Sequence, residues 1–139
     1  MQPLLILAIC ALCVFTEGVF LQSVGVRGVL MCGNKPLANT RVKLWDEDDG
    51  PDPDEELAAT YTDAQGRFNV SGGTHETSSI DPRLKIYHDC DDWLFCQRKI
   101  KLMIPKRYVN QGNAVSKWFD AGVMNMELVF QDEERDCGN

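Results

Sequence analysis

Apolar and polar residues alternate along most of the chain after residue 23, with the spacing of half-buried β-strands rather than of helices. Turn-forming clusters such as "GNKPLAN", "DAQG" and "NQGN" interrupt the alternation at short intervals. The alternating segments are residues 24–32, 40–46, 57–62, 67–71, 83–90, 98–104, 116–120 and 123–130. The pattern therefore predicts an all-β domain in which about eight short strands form a two-sheet sandwich.

The N-terminal part of the chain has a different pattern. Residues 4–15 are an unbroken run of 12 apolar residues with no charge before Glu17. A membrane span needs about 20 such residues, so this run has instead the length of the apolar region of a secretory signal peptide. We predict a signal peptide at residues 1–18, with the cleavage site within residues 16–23. The remaining residues, 19–139, are predicted to form one domain. The signal peptide predicts that the protein is secreted to the extracellular space.

Composition and cysteine content fit this assignment. The chain has 139 residues, of which 44% are hydrophobic and 25% charged, as in an ordinary globular domain. Four of the six cysteines follow the predicted signal peptide, and disulfides are the default in an oxidising compartment. Three pairings are possible. The short spacing of Cys90 and Cys96 favours a local bridge, which leaves Cys32 to pair with Cys137 and close a loop on the order of 100 residues.

Five segments, in their order and spacing, resemble the nematode transthyretin-like family. They are "VRGVLMCGNKPLANTRVKLWDEDD", "TDAQGRFNVSG", "IDPRLKIYHDC", "CQRKIKLMIPKRYV" and "ERDC". The resemblance covers nearly all of the chain after the predicted signal peptide. It implies a secreted β-sandwich like that of transthyretin (prealbumin), which the predicted disulfides would staple in this chain. In that fold, one sheet contains the second, third, fifth and sixth predicted strands, and the other contains the first, fourth, seventh and eighth.

The resemblance also implies a non-enzymatic binding function. Some transthyretin-like proteins are associated with recognition of phosphatidylserine on dying cells and with bridging it to an engulfment receptor. Transthyretin itself carries a small apolar ligand in a channel between subunits, which gives an alternative function. Related hydrolases open hydroxyisourate with histidines, an arginine and a C-terminal Tyr-Arg-Gly-Ser sequence. This chain ends "RDCGN" and has only His75 and His88, so we expect no enzymatic activity.

Potential metal ligands occur in two places, but neither matches a known template. His88 lies among aspartates and cysteines whose spacing is not that of a zinc site, and its register with the apolar residues of its strand predicts a hydrogen-bonded structural histidine. Residues 46–56 hold eight carboxylates in eleven positions. Pro51 and Leu57 occupy the sixth and twelfth places, where an EF-hand has Gly and Glu. We expect a solvated acidic loop and no metal or other cofactor, with weak, irregular calcium binding as the alternative.

Charged positions on three strands predict a candidate binding surface. Because side chains alternate between the two faces of a sheet, inward-facing Val42, Leu84 and Ile100 send their neighbours to the outer face. The members of this predicted basic face are Arg41, Lys43, Trp45, Lys85, Tyr87, Lys99 and Lys101. It would attract an anionic phospholipid or an acidic cell-surface receptor despite a formal net charge of -7. An ordinary solvated sheet carries similar residues, and nothing indicates a nucleic-acid partner.

The sequence "NVS" at residues 69–71 is an acceptor site for N-glycosylation. Alternation predicts that Phe68 and Val70 face the core, which turns Asn69 outward. A glycan on Asn69 is therefore expected if the chain passes through the secretory pathway.

Overall fold

The computed structural model describes residues 20–47 and 53–138. The predicted signal peptide lies outside the described residues, as does the centre of the acidic block, residues 48–52. No helix in the described ranges is long and apolar enough to cross a membrane.

Short β-strands make up most of the described chain, with one 3₁₀ turn at Lys106–Tyr108 between them. The strands are β1 Phe20–Cys32, β2 Lys35–Pro36, β3 Arg41–Asp46, β4 Glu55–Tyr61, β5 Arg67–Glu76, β6 Pro82–His88, β7 Gln97–Met103, β8 Asn110–Gln111, β9 Trp118–Asn125 and β10 Glu134–Asp136.

The strands form two sheets of five, which confirms the predicted all-β sandwich. In the first sheet, β1 pairs antiparallel with β2, β5 and β8, and parallel with β9. The second sheet is antiparallel throughout, in the order β10-β7-β6-β3-β4. The distribution of the longer strands between the sheets is the one that the family resemblance implied.

The segments predicted as separate strands at residues 116–120 and 123–130 instead contribute one strand, β9. Gly122 has a φ of 69°, and the pairing of β9 with β1 shifts between Arg27 and Val29. Such an irregularity resets the alternation of side chains, so one bent strand resembles two in the sequence. Strands β2, β8 and β10 have only two or three residues each, too few to produce a recognisable pattern.

Side chains from the inner faces of both sheets fill the space between them. Burial alternates along β3, where Val42 and Leu44 are fully buried while Lys43 and Trp45 are half-buried on the outer side. The core also contains Val24, Val26, Leu30, Phe68, Val70, Ile80, Leu84, Ile86, Ile100, Ile104 and Met126. The inward register predicted for β3, β6 and β7 is therefore confirmed, and it fixes which residues those strands present on the outer face.

All four cysteines in the described part form disulfides, but the predicted pairing is wrong: the bridges join Cys32 to Cys90 and Cys96 to Cys137. Cys90 continues the inward parity of β6 and packs in the core. It there meets Cys32, at the end of β1 in the opposite sheet, with a Cα separation of 5.6 Å. Cys96 immediately precedes β7 and bonds to the C-terminal segment. The spacing of cysteines along the sequence does not show which way each side chain points, so it favoured the wrong pairing.

Candidate binding face

The structure places all seven residues of the predicted basic face on the outer side of the second sheet, on β3, β6 and β7. Lys43 is directly opposite Lys85, and Lys85 is directly opposite Lys101. We call these three residues the lysine row. In the adjacent row of the sheet, Tyr87 lies between Arg41 and Lys99. The predicted gathering of these side chains is confirmed, while their binding of a ligand stays a prediction.

Glu47, the first residue after β3, compensates two members of the lysine row. Its Oε1 atom lies 2.8 Å from Nζ of Lys85 and 3.0 Å from Nζ of Lys101. Burial alone would raise the pKa of this carboxyl, but the hydrogen bonds from the two lysines outweigh burial and lower the pKa below its ordinary value. Glu47 is therefore ionised at neutral pH and belongs to the face rather than to a solvated loop.

Two further glutamates complete the compensation from the neighbouring strands. Glu56 of β4 lies 3.6 Å from Lys43, and Glu134 of β10 lies 3.9 Å from Lys99. Four of the five cations on the face therefore have carboxylate partners, which reduces the positive charge of the predicted basic face. The sequence pattern does not indicate these partners, because strand pairing, not sequence proximity, brings β4 and β10 to the edges of the face.

Three of the same cations also make cation–π contacts with aromatic rings of the face. Lys85 lies 4.1 Å from the ring centroid of Trp45, and Lys43 and Lys99 lie 5.2 and 5.7 Å from that of Tyr87. Such contacts stabilise a cation by roughly 0.5 to 2 kcal/mol, depending on burial. Burial of Tyr87, together with the nearby carboxylates, raises the pKa of its hydroxyl, so this ring stays neutral. The face is thus a network of cations, carboxylates and rings in fixed contact.

The network retains a small excess of positive charge. Arg41 contacts the ring of Tyr61 at 4.5 Å, and among the described residues no ion pair is recorded for it. The five predicted cations face three paired glutamates and Asp136 of β10, whose charge reaches Tyr87, which leaves an excess of one positive charge among these residues. Lys101 is more exposed than the other two lysines of its row. Arg41 and Lys101 are therefore the members of the face most available to a ligand.

His88 is structural, as its register predicted. It is 1% exposed, and its Nδ1 atom accepts a hydrogen bond of 3.1 Å from the backbone N–H of Cys90. Burial, and secondarily the positive charge of Arg98, lowers the pKa of the imidazole from 6.5 to about 4. The ring is therefore neutral at pH 7. Within residues 20–47 and 53–138, no group of three or more His, Cys, Asp or Glu is arranged to hold a metal ion.

Arg98 joins several backbone segments at the end of the sandwich next to His88, and it was not among the residues predicted from the sequence. Its buried guanidinium donates hydrogen bonds of 2.8 to 2.9 Å to the carbonyl oxygens of Cys90, Met126 and Leu128. It also pairs with both carboxylate oxygens of Glu133, at 2.9 and 2.7 Å. An arginine at an inward position of a strand was the available indication, because a buried charge needs such partners.

Asn69 is exposed on the outer side of β5, between buried Phe68 and Val70 as predicted. It borders an open depression of about 400 Å³ on the first sheet, which is also lined by Arg27 and Val123. The side chain is therefore accessible for modification, and glycosylation of Asn69 stays a prediction.

Comparison with known proteins supports the fold. The model of the transthyretin-like family matches residues 27–105. Transthyretin-like protein 33 of Caenorhabditis elegans is 54% identical over 123 residues, which cover 88% of this chain and 86% of that protein. Transthyretin-like protein 46 of the same organism is 54% identical over 117 residues, which cover 83% of this chain and 65% of that protein. A 9R-lipoxygenase crystal structure from Cyanothece is 23% identical over 78% of this chain and 16% of its own, with a TM-score of 0.41. The chain belongs to the transthyretin-like family.

Proposed function

We propose that this protein is a secreted, non-enzymatic binding protein that acts outside the cell or at its surface. The observation that carries the proposal is the network on the second sheet, in which charged and aromatic side chains are held in fixed mutual contacts. Preorganised side chains lower the entropic cost of binding. Two disulfides support secretion, because such bonds persist in oxidising compartments.

For the ligand, we put forward an anionic group such as the phosphatidylserine headgroup, bound at the positive excess on the second sheet. Its carboxylate and phosphate would contact Arg41 and Lys101, the most available cations, and the protein would then bridge the membrane to a receptor. Because most of the lysines have carboxylate partners, we do not expect five independent contributions of about 1 kcal/mol each. Weak, salt-sensitive adhesion is expected instead.

Vesicle binding tests this proposal. Mature protein is mixed with phosphatidylcholine vesicles, with and without phosphatidylserine, at low and high salt. Replacing Glu56 and Glu134 by glutamine frees Lys43 and Lys99 from their partners, so the double variant should bind phosphatidylserine vesicles more strongly than wild type. Arg41→Ala should bind more weakly.

The matched control is Arg27→Ala, which removes an exposed arginine from the other sheet. It should leave vesicle binding unchanged. Absence of wild-type binding at low salt, or equal binding by all the variants, would reject the phosphatidylserine assignment. Secretion is tested separately, by expressing the full chain in eukaryotic cells and sequencing the N-terminus of the protein in the medium.

A carrier of a small apolar ligand is the second candidate, favoured by the depression on the first sheet. Its lining includes the apolar side chains of Val29 and Val123 and the charged side chains of Arg27 and Arg67. Saturable binding of an apolar fluorophore, abolished by Val123→Glu and unaffected by Arg41→Ala, would favour this function. Fluorophore binding that is abolished by Arg41→Ala and unaffected by Val123→Glu would exclude this function.

A further inference from the structure

The connection between β6 and β7 presents three consecutive apolar side chains to solvent. Trp93 is 90% exposed, Leu94 52% and Phe95 95%. We call these three residues the apolar tip. Single exposed apolar residues are ordinary, but a contiguous group that includes two large aromatic rings is typical of an interaction site.

The apolar tip is held in place on both sides. Asp92 accepts two hydrogen bonds from the guanidinium of Arg135, at 2.7 and 2.9 Å, and a third of 3.2 Å from the backbone N–H of Leu94. Arg135 also donates to the carbonyl oxygen of Cys96. The disulfide from Cys96 to Cys137 then joins the end of the loop to the C-terminal segment. These bonds fix the loop in a conformation that does not bury its own apolar residues.

Backbone geometry indicates the same constraint. Asp91 and Cys96, on either side of the apolar tip, have φ values of 51° and 69°. Non-glycine residues adopt this left-handed region at a cost of roughly 1 to 3 kcal/mol, and such residues cluster at functional sites.

A second exposed apolar segment lies at the same end of the sandwich. Leu128 is 60% exposed and Val129 80%. The guanidinium of Arg98 donates to the carbonyl oxygens of both Leu128 and Cys90, so the loop after β9 and the loop after β6 converge on one side chain. Two exposed apolar segments therefore lie at this end of the sandwich.

The charge around this surface is negative. Residues 89–96 and 126–133 contain six carboxylates and neither Lys nor Arg. Arg98 and Arg135 reach in from outside these segments and pair with Glu133 and Asp92. The remaining four carboxylates leave the apolar surface with an acidic rim, which includes the exposed Asp91.

From this arrangement we infer that the apolar tip docks into an apolar pocket of a partner protein whose rim carries lysine and arginine. Trp93 and Phe95 are the anchors, and the acidic rim supplies complementary charge. An anionic membrane would be repelled by this rim, and two copies of the chain meeting at their tips would oppose like charges. The inference concerns the end of the sandwich and does not depend on the proposed function of the sheet face.

A peptide library displayed on phage tests the inference, with disulfide-intact protein as the immobilised target. The Trp93→Ser/Phe95→Ser double variant serves for counter-selection. We expect the enriched peptides to combine apolar residues with Lys or Arg, and to bind the double variant about tenfold or more weakly than wild type. Their binding should weaken between about 50 and 500 mM NaCl, because the rim contacts are screened.

Two further variants make the result specific. Met103→Ser removes an exposed apolar side chain elsewhere and should leave peptide binding unchanged. Asp91→Asn/Asp132→Asn should reduce the preference for basic peptides while leaving the anchors intact. An unchanged melting temperature shows that each variant is folded.

Several results would overturn the inference. One is that no enriched peptide distinguishes wild type from the double variant. Another is that the enriched peptides contain no basic residues. Binding to phosphatidylcholine or phosphatidylserine vesicles that is lost with Trp93 and Phe95 would assign the apolar tip to a membrane. Concentration-dependent dimers lost in the same variant would assign it to self-association.

Discussion

Glu47 Oε1 lies 2.8 Å from the ammonium nitrogen of Lys85, and both side chains are largely buried at the surface of the second sheet. The same carboxylate accepts a hydrogen bond from Lys101. Like charges directly opposite each other on neighbouring strands destabilise a sheet. A single glutamate just outside the strand therefore offsets the repulsion between Lys85 and Lys101, two of the three members of the lysine row.

Replacing Glu47 by glutamine should destabilise the fold by about 3 kcal/mol, because it leaves the nearly buried charge of Lys85 without its carboxylate. Urea denaturation of wild type and variant measures this difference in the free energy of unfolding. The matched control is Glu56→Gln. That glutamate is more exposed and lies 3.6 Å from Lys43, so the loss should be below about 1 kcal/mol. Similar losses in the two variants would contradict the special role of Glu47.

Acid should destabilise the protein through His88. The pKa of this ring is about 4 in the folded state against an ordinary 6.5, so the unfolded chain binds one more proton between these pH values. The free energy of unfolding is therefore unaffected above pH 6.5 and falls as the pH drops towards 4, by about 3 kcal/mol in total. Glu133, whose pKa is lowered from 4.5 mainly by its hydrogen bond with Arg98, adds a further loss only at lower pH.

His88→Asn tests this assignment. An asparagine oxygen replaces Nδ1 as acceptor for the N–H of Cys90 but does not titrate, so the variant should have lower stability overall and little change between pH 6.5 and 4.5. Denaturant unfolding at a series of pH values measures how the free energy of unfolding changes with pH in wild type and variant. A variant that retains the wild-type slope would assign the acid sensitivity to another group.

Alternation predicted most of the fold and the placement of the candidate face. Val42 and Lys43 take opposite sides of β3 because successive side chains of a strand do so, and this rule holds without knowledge of the neighbouring strands. The same rule placed His88 in the core. These properties depend on local sequence, and local sequence was sufficient to predict them.

The partners across strands could not be predicted in this way. Glu134 reaches Lys99 only because β10, a strand of three residues, joins the edge of the sheet at β7. The disulfides show the same limit: Cys90 is six residues from Cys96 but faces Cys32 of the other sheet. Local spacing therefore indicated a charged face and disulfide-bonded cysteines. It gave neither the net charge of the face nor the pairing of the cysteines.

The two disulfides should differ in what they stabilise. Their sequence separations of 58 and 41 give similar chain-entropy contributions of about 4 kcal/mol each. Replacing Cys32 and Cys90 by serine also buries a hydroxyl in the core, so this pair should cost more. Replacing Cys96 and Cys137 should mainly expose β10 and residues 89–96 to hydrogen exchange while β1 and β6 stay protected. Equal exchange throughout the chain in both variants would contradict this difference.

Glycosylation of Asn69 can be tested directly. The wild-type chain expressed through a eukaryotic secretory pathway should lose mass on treatment with peptide N-glycosidase, because the side chain is exposed beside an open depression. Asn69→Gln and Ser71→Ala should both have the deglycosylated mass before treatment. An unmodified wild-type chain would show that the strand context of this acceptor prevents its use.

Gly66 should tolerate no side chain, for two separate reasons. Its φ is 79°, and an added Cβ would collide with the carbonyl oxygen of Leu30. Gly122 is the matched control, since its φ is 69° but nothing lies within 4 Å of an added Cβ. Gly122→Ala should therefore cost about 1 kcal/mol through backbone conformation alone, whereas Gly66→Ala should cost about 3 kcal/mol or more. Denaturant unfolding measures both, and equal losses would mean that the contact with Leu30 relaxes at no cost.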